Sequence, residues 1–303
     1  MSSMKVVVTV NKNYIYPLKV MLYSLFSTQE EQITVFLVHT EISAESVEML
    51  KVFCTSLGGE LLEVRIKEDT FENAPVMEHF SKEMYYRLFC PWLLLNEERV
   101  LYLDPDMIVN GSLRSLWEME LDGALMAAVR DRTIGVLGCR MKRELKKDSV
   151  YFNSGVLLMD LKRMREEIKQ EEISALITKW KDDLEFPDQD ILNLLCEGRI
   201  RQVEDAYNMT PILLYLKEYL GTLSKKKTRR FAKIVHYAGH DKPWNGGYRK
   251  AMYPLWARAE WYAHPQGRLR IAGRLLLEPY RFVWGLWQFV KNHDWKQGLK
   301  NKQ

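Results

Sequence analysis

Two aspartates one residue apart are the side chains of this sequence best placed to do chemistry. Asp104 and Asp106 end an apolar run, and Pro105 between them favours an extended backbone. Residues two apart on an extended chain point to the same side, so the two carboxylates repel each other unless a cation lies between them. A hard divalent ion such as Mg²⁺ or Mn²⁺ takes oxygen ligands and often shares them with a substrate phosphate. The apolar run favours such a site at the carboxyl end of a strand; the alternative is a solvated turn with two incidental acids.

Three other segments place polar side chains next to expected strands or helices. Asn153 precedes an apolar run and suits sugar hydroxyls, because an amide both donates and accepts hydrogen bonds; the alternative is that it caps a strand or helix. Asp188 opens a helical segment, where an ordinary N-cap is the alternative to a binding role. Residues 11–14, Asn-Lys-Asn-Tyr, lie where the first strand meets its helix, a usual nucleotide position in doubly wound sheets.

A fourth segment, residues 236–244, follows a short apolar strand. His236 can supply an imidazole nitrogen to a metal, and Gly239 allows the backbone to approach a phosphate closely. Lys242 offers that phosphate a positive charge. Together the four segments contain the polar groups that a site for a sugar diphosphate needs.

Alternating strands and amphipathic helices have to position these residues. Apolar runs predict strands at residues 5–10, 33–39, 60–66, 100–103, 124–129, 155–160, 199–203 and 233–237. Helical spacing predicts helices at residues 18–26, 44–57, from 81 to a break at Pro91, 162–180 and 188–196. This β-α-β-α order predicts an α/β fold with a mostly parallel sheet and helices on both faces.

The composition is that of an ordinary globular protein. The 303 residues are 47% apolar and 28% charged, and the net charge is +4. The sequence contains neither a signal-peptide pattern nor an apolar run of about 20 residues. We therefore expect no segment that directs the chain into or across a membrane. Four cysteines without CxxC spacing predict neither a disulfide framework nor a zinc site. We therefore expect a cytoplasmic protein with no nucleic-acid partner.

The C-terminal tail differs from the rest. Residues 256–303 carry nine basic and three acidic side chains and five of the nine tryptophans, whereas residues 1–255 are slightly acidic overall. Basic residues with aromatics at helical spacing are typical of helices that lie in a membrane interface. The alternative is a pair of helices that pack their aromatics onto the core. We predict a catalytic domain at residues 1–255 and a helical tail at 256–303.

Four motifs follow one another along the chain: Leu-Asp-Pro-Asp (103–106), Phe-Asn-Ser-Gly-Val-Leu-Leu (152–158), Asp-Gln-Asp-Ile-Leu-Asn (188–193) and His-Tyr-Ala-Gly-x-x-Lys-Pro-Trp (236–244). In this order they resemble the signatures of the family 8 retaining glycosyltransferases, which include lipopolysaccharide galactosyl- and glucosyltransferases and glycogenin. The resemblance covers roughly residues 5–244 and implies a fold of the GT-A type. Asn11 and Lys12 depart from the family, which often has acids there, although an asparagine can still pair with the uracil imide.

The resemblance implies a metal site and a nucleotide site. The implied metal ligands are Asp104, Asp106 and His236, usually for Mn²⁺ with Mg²⁺ as the alternative, and the ion bridges the diphosphate of a UDP-sugar. The implied nucleotide-binding residues are Asn11, Asn13 and Tyr14 at the uridine, with Tyr14 stacked on uracil, and Gly239 and Lys242 at the diphosphate.

The resemblance also implies a donor-sugar site and a reaction. The residues expected there are Arg87, Asp131, Asn153, Asp188 and Gln189, and of these Asp131, Asp188 and Gln189 are expected to be catalytic. Retention by double displacement needs a carboxylate below the anomeric carbon. Because Gln189 matches that face and an amide is a poor nucleophile, we predict front-face attack, with the proton of the acceptor taken by the leaving phosphate.

The expected activity is therefore transfer of galactose or glucose from a UDP-sugar to a saccharide or glycolipid acceptor, as in lipopolysaccharide or other surface-glycan synthesis. A tail that binds anionic lipid would place the enzyme on the inner face of the plasma membrane. Two alternatives remain: a haloacid-dehalogenase-like phosphatase with Asp104 as nucleophile, and a sugar-nucleotide-binding protein without catalysis.

Overall fold

The apolar runs form a seven-stranded sheet and a second, two-stranded one. The computed structural model describes residues 3–66, 82–134, 139–211, 213–214, 217, 231–245 and 252–273. Its strands are β1 Met4–Thr9, β2 Ile33–His39, β3 Glu60–Arg65, β4 Arg99–Leu103, β5 Met107–Val109, β6 Met126–Arg130, β7 Phe152–Asp160, β8 Ile200–Val203 and β9 Ile234–His236. The large sheet has the order β3-β2-β1-β4-β7-β6-β8, and β5 pairs with β9.

Helices cover both faces of the large sheet, as the sequence predicts. They are α1 Ile15–Phe26, α2 Ala44–Ser56, α3 Tyr86–Leu93, α4 Arg114–Trp117, α5 Leu161–Glu167, α6 Gln170–Trp180, α7 Pro187–Leu195 and α8 Tyr253–Ala263. Successive strand residues point to opposite faces, so Val7 and Tyr102 belong to the core beneath α3, whereas Val8 and Leu103 pack with α1. The predicted α/β class with a mostly parallel sheet is confirmed.

The one reversed strand of the large sheet is β7, which runs antiparallel to both β4 and β6. It begins at Phe152, three residues earlier than predicted. Because Leu103 pairs with Val156, the first residues of β7 continue past the end of β4, where the backbone N–H of Asp104 donates to the carbonyl of Gly155 at 2.9 Å. This register places the Asn-Ser-Gly segment beside the two aspartates.

Two helix predictions are wrong. Residues 162–180 form two helices rather than one, because Ile168 between them has an extended backbone (φ −122°, ψ 140°) and a buried side chain. The predicted break at Pro91 does not occur, since α3 continues to Leu93. The guanidinium of Arg165 donates to the carbonyl of Pro91 at 2.8 Å, so a side chain supplies a hydrogen bond at this helix end.

The described part of the C-terminal tail packs on the domain. Helix α8 runs across the predicted boundary at residue 255, and Trp256 is fully buried with its ring centroid 5.1 Å from that of Trp244. The Tyr16 hydroxyl donates to the buried Glu260 at 2.5 Å, and the His264 ring stacks on Tyr16. The described first part of the tail, residues 256–273, therefore packs on the core, which was the alternative to a helix in a membrane interface.

The rest of the tail, including Trp284, Trp287 and Trp295, lies outside the described residues, and the division at residue 255 stays a prediction. Across the described ranges, the helices are all too short or too polar to span a membrane.

Candidate functional site

The two aspartates lie where the chain passes from the large sheet to the small one. Asp104 follows β4, and Asp106 precedes β5. In the small sheet Met107 pairs with His236, and the backbone N–H of Tyr237 donates to the carbonyl of Asp106 at 3.0 Å. The pairing of β5 with β9 thus brings an imidazole from the far end of the chain to the two carboxylates.

The three side chains converge as the resemblance implies. His236 Nε2 lies 3.3 Å from Asp106 Oδ1 and 3.7 Å from Asp104 Oδ2. One ligand atom of each residue lies within 4.8 Å of the others. Two carboxylate oxygens and one imidazole nitrogen are a donor set that suits Mn²⁺ or Mg²⁺, so these residues fit a divalent cation.

Lys242 is held by the same carboxylate. Its ammonium donates to Asp106 Oδ2 and, at 3.1 Å, to the carbonyl of Tyr237. Burial raises the pKa of Asp106, but the net shift is downward, chiefly because of the positive charge of Lys242, so the carboxylate stays ionised. Burial likewise lowers the pKa of Lys242, and Asp106 more than reverses the effect. The charge expected at a phosphate is therefore in place beside the triad.

Arg87, at the start of α3, connects the metal triad to the expected sugar site. Its Nη2 lies 2.9 Å from Asp104 Oδ1, and its Nε lies 3.0 Å from Asp188 Oδ2. Its Nη1 donates to the carbonyl of Ser154 at 2.7 Å, and the guanidinium lies 4.5 Å from the ring centroid of Tyr102. Burial opposes the charge, but the carboxylates prevail and raise the pKa of Arg87. The side chain is thus fixed by protein contacts.

The N-cap alternative for Asp188 is wrong. Phe186 occupies the N-cap position of α7, and Asp188 is buried inside the first turn, where it accepts from Ser154 Oγ at 2.9 Å as well as from Arg87. Burial raises the pKa of Asp188, and Arg87 only partly offsets the effect. The backbone amides at the start of α7 donate instead to Asp190, including that of Phe186 at 2.9 Å.

The other expected sugar-site residues form one hydrogen-bonded group. Gln189 Oε1 accepts from the backbone of Ser154 at 3.0 Å, and its Nε2 donates to Asp131 Oδ2 at 3.2 Å. Asn153 Nδ2 lies 3.3 Å from the same oxygen. Since Asn153 lies inside β7 and joins neighbouring side chains, the alternative of an element cap does not hold. The structure therefore brings Asp131, Asn153 and Gln189 together.

The expected nucleotide residues lie on the turn that follows β1 and on the segment that follows β9. Asn11 Oδ1 accepts from the backbone of Asn13 at 3.0 Å and caps the turn Lys12–Tyr14. The Tyr14 ring meets Trp244 edge-on at 5.9 Å between centroids. Burial raises the pKa of Tyr14, and the positive charge of Lys242 partly opposes this rise. Gly239 has a φ of +94°, which favours glycine. The side chain of Asn13 is exposed, and its binding role stays a prediction.

Sequence reasoning missed two residues of the site. Asn208 Nδ2 donates to Asn153 Oδ1, and Asn208 Oδ1 forms a hydrogen bond with His236 Nδ1. At Gly155, a Cβ atom would lie 2.5 Å from His236 Cε1 and 2.8 Å from Asp104 Oδ2. The sequence did contain a signal for Gly155, because a glycine inside an apolar strand often marks a place where another group approaches the backbone closely. Asn208 has no such signal, because it stands in an irregular segment far along the chain.

We predict that Gly155→Ala weakens Mn²⁺ binding by at least about tenfold, since the new methyl group would displace the imidazole and the carboxylate that are expected to be ligands. The same crowding should lower the free energy of unfolding by about 1–3 kcal/mol. Calorimetric titration with Mn²⁺ and urea unfolding measure the two effects. Gly267→Ala is the matched control, because its methyl group would meet no atom closer than 3.9 Å. Unchanged Mn²⁺ affinity in Gly155→Ala would contradict the assigned ligand positions.

Comparison with known proteins gives consistent matches. The family model described as Glycosyl transferase family 8 matches residues 5–247. A "Putative glycosyltransferase" of Haemophilus influenzae is 27% identical over 250 residues, which cover 80% of this chain and 73% of the relative. The "Lipopolysaccharide 1,2-glucosyltransferase" of Escherichia coli is 31% identical over 195 residues, which cover 63% of this chain and 56% of the relative.

Solved structures give a similar result. A crystal structure of the galactosyltransferase LgtC in complex with donor and acceptor sugar analogs superposes with a TM-score of 0.74 at 25% identity, covering 85% of this chain and 95% of LgtC. An active-site mutant of LgtC superposes with a TM-score of 0.75 at 23% identity, covering 86% and 99%.

Proposed function

Because this chain belongs to glycosyl transferase family 8 and has the GT-A fold of LgtC, we propose that it transfers a hexose from a UDP-sugar to a saccharide or glycolipid hydroxyl, with retention at the anomeric carbon. The observation that carries the proposal is the convergence of Asp104, Asp106 and His236 within 4.8 Å, with the Lys242 ammonium on the same carboxylate. Glycosyl transfer from a nucleotide-diphosphate sugar needs positive charge next to the leaving diphosphate, where negative charge develops.

Asp104, Asp106 and His236 would hold Mn²⁺ or Mg²⁺. When bound, the cation would supply electrostatic stabilisation of the charge that develops on the leaving diphosphate. Lys242 adds a second positive charge, and its position on Asp106 keeps that charge at the site before the nucleotide arrives. Tyr14 offers a ring beside Lys242 for the uracil base, and Asn11 offers polar groups for its edge.

The contacts of the nearby carboxylates support front-face attack. Asp131 Oδ1 accepts three hydrogen bonds from Thr133 and Ile134, and its Oδ2 accepts from Asn153 and Gln189. A carboxylate with its lone pairs occupied in this way is a weak nucleophile.

Asp188 is similarly engaged by Arg87 and Ser154, and the amide of Gln189 is tied at both ends. We therefore assign these side chains to holding the donor hexose. In the proposed step the bond from the anomeric carbon to the β-phosphate oxygen breaks with its electron pair on the phosphate. The acceptor oxygen bonds to the same face of that carbon, and its proton passes to the phosphate.

The expected result of Lys242→Met differs between UDP and Mn²⁺. UDP binding weakens by about ten- to a hundredfold, because a charged hydrogen bond of about 1.5–3 kcal/mol to phosphate is lost. Binding of Mn²⁺ alone does not weaken, since the ammonium no longer competes for the Asp106 carboxylate. Calorimetric titrations with each ligand measure both. Weaker Mn²⁺ binding in Lys242→Met would contradict the competition.

The donor and the reaction are tested with a panel of UDP-sugars. UDP release by hydrolysis, with and without Mn²⁺, requires no assumed acceptor. Metal-dependent release from UDP-galactose or UDP-glucose supports the proposal, and the preferred sugar identifies the hexose. Binding of UDP-sugars without release would favour the non-catalytic alternative. Phosphate release from a phosphomonoester would favour the phosphatase.

Attachment to the inner face of the plasma membrane is proposed only for the segment after Gly273. Deletion from Trp256 would remove a buried core residue, so the informative truncation ends at Gly273. Liposome co-sedimentation that survives this truncation would remove the proposed attachment, and with it the main reason to place this enzyme at a cytoplasmic membrane surface.

A further inference from the structure

One buried amide connects the expected metal ligand to the expected sugar site. Asn208 follows the turn Asp205–Tyr207 and is 2% exposed. Its Oδ1 lies 2.9 Å from His236 Nδ1, and its Nδ2 lies 2.7 Å from Asn153 Oδ1. The next residue, Met209, hydrogen-bonds to the backbone of β9 on both sides, through its N–H to Ile234 and its carbonyl to His236. Asn208 is therefore fixed beside the imidazole.

The direction of these hydrogen bonds follows from a backbone amide. The oxygen and nitrogen of a side-chain amide are nearly indistinguishable by size and position, so their hydrogen-bond partners have to decide which atom is which. The backbone N–H of Gly155 can only donate, and it lies 3.0 Å from the atom of Asn153 that must therefore be Oδ1. The other end of Asn153 is then an N–H donor, and it faces the Asp131 carboxylate.

The same reasoning determines which ring nitrogen of His236 carries the proton. Because Asn153 presents an oxygen, Asn208 must present its N–H group there, and its own oxygen then faces His236. An oxygen opposite Nδ1 requires a proton on Nδ1. A neutral imidazole carries only one ring proton, which leaves the lone pair on Nε2, the atom that faces the two aspartates.

We infer that Asn208 is a positioning residue that holds the ring proton of His236 on Nδ1 and thereby aims the Nε2 lone pair at the cation. This inference rests on the proposed metal site. Outer-shell groups that orient a ligand imidazole typically change metal affinity by about ten- to a hundredfold when they are removed. Asn208 also ties that imidazole to Asn153, so the metal site and the sugar site share one rigid group.

Two substitutions at this position separate positioning from bulk packing. Asn208→Leu keeps the approximate volume but removes the oxygen opposite Nδ1, and we expect Mn²⁺ affinity to fall by about ten- to a hundredfold. Asn208→Asp keeps an oxygen opposite Nδ1, although it replaces the donor to Asn153 Oδ1 with a charged acceptor, so Mn²⁺ affinity should fall less than in Asn208→Leu. Calorimetric titration of the metal-free, full-length protein with Mn²⁺ measures both. Equal weakening in the two variants would overturn the inference.

Asn193→Leu is the matched control. Asn193 is also a buried asparagine, but its amide holds the backbone of Phe152 and has no contact with His236 among the described residues. We expect this variant to unfold at a lower temperature and to bind Mn²⁺ as the wild type does. If Asn208→Leu binds Mn²⁺ no more weakly than Asn193→Leu, Asn208 has only a structural role and the inference fails.

A spectroscopic measurement tests the proton directly. Imidazole ¹⁵N spectra of the metal-free protein, with His236→Gln to assign the signal, should show a proton on Nδ1 of His236; a ring protonated at Nε2 alone would overturn the inference. These measurements need no donor sugar. If the wild type binds Mn²⁺ but releases no UDP from any donor, the proposed function fails while the Asn208 result stands.

Discussion

Replacement of Arg87 by methionine is expected to lower the free energy of unfolding by about 3–5 kcal/mol. Arg87 is 6% exposed, and its guanidinium lies between the carboxylates of Asp104 and Asp188, at 2.9 and 3.0 Å. Methionine retains much of the packing over Tyr102 but leaves two carboxylates facing each other without a positive charge between them. Equilibrium unfolding in urea, monitored by far-UV circular dichroism, measures the loss.

A second substitution tests the cause of that loss. In the double variant Arg87→Met with Asp188→Asn one of the two unpaired charges is gone, so part of the stability should return, whereas Asp188→Asn alone should destabilise the protein. Arg87→Lys should fall between wild type and Arg87→Met, because an ammonium keeps the charge but cannot contact both carboxylates and Ser154 at once. A loss below about 1 kcal/mol in Arg87→Met would contradict a buried, obligatory ion pair.

The parts of the site that the sequence could predict are those carried by local patterns. An apolar run followed by Asp-Pro-Asp indicates a strand end with two carboxylates on one side, and β4 ends at Leu103 immediately before them. The approach of His236 needed more than a local pattern, since it depends on the pairing of β5 with β9. The resemblance to a family supplied that contact, because no periodicity in the chain indicates which short strands pair.

The features of the site that the sequence could not predict depend on strand direction and pairing register, and on side chains whose partners lie far away in the chain. The reversal of β7 places Gly155 against the triad, and nothing within residues 152–160 indicates strand direction. The position of Asp188 at a helix start left a helix cap open as the alternative to a site role, and only its burial and its contact with Arg87 decide against the cap. Ile168 interrupts a helix because its side chain enters the core, which helical spacing alone does not reveal.

The arrangement also explains why so many polar side chains can be buried at one place. Gln189 and Asn193 on α7 both bond the backbone of β7, at Ser154 and Phe152, and so satisfy strand groups that extend past β4. The remaining donors and acceptors of Gln189 turn toward Asp131. Gln189 thus supports the fold on one side and the site on the other, so its substitution should change stability and activity together, whereas Asn193 supports the backbone of β7.

The change with the largest expected effect on activity is Asp106→Asn. An amide cannot supply the negative oxygen that Mn²⁺ prefers, so Mn²⁺ affinity should fall by more than the roughly ten- to hundredfold typical of an outer-shell contact, and metal-dependent UDP release by about 10²–10³-fold. Affinity for UDP without metal should not fall, because Lys242 is released from a carboxylate that holds it in the free protein. Titration with Mn²⁺, titration with UDP in chelator and UDP-release assays measure the three quantities.

A loss of Mn²⁺ affinity and of UDP release without a loss of metal-free UDP affinity would identify Asp106 as a metal ligand. Asp160→Asn is the matched control: Asp160 caps α5 through the backbone N–H of Arg163 at 2.9 Å, and asparagine caps equally well, so stability, Mn²⁺ binding and UDP release should all remain. A general loss of structure in Asp106→Asn would reduce UDP affinity together with Mn²⁺ affinity. Retained Mn²⁺ affinity in this variant would show that the cation is held elsewhere, because Asp106 contributes the carboxylate that both His236 and Lys242 face.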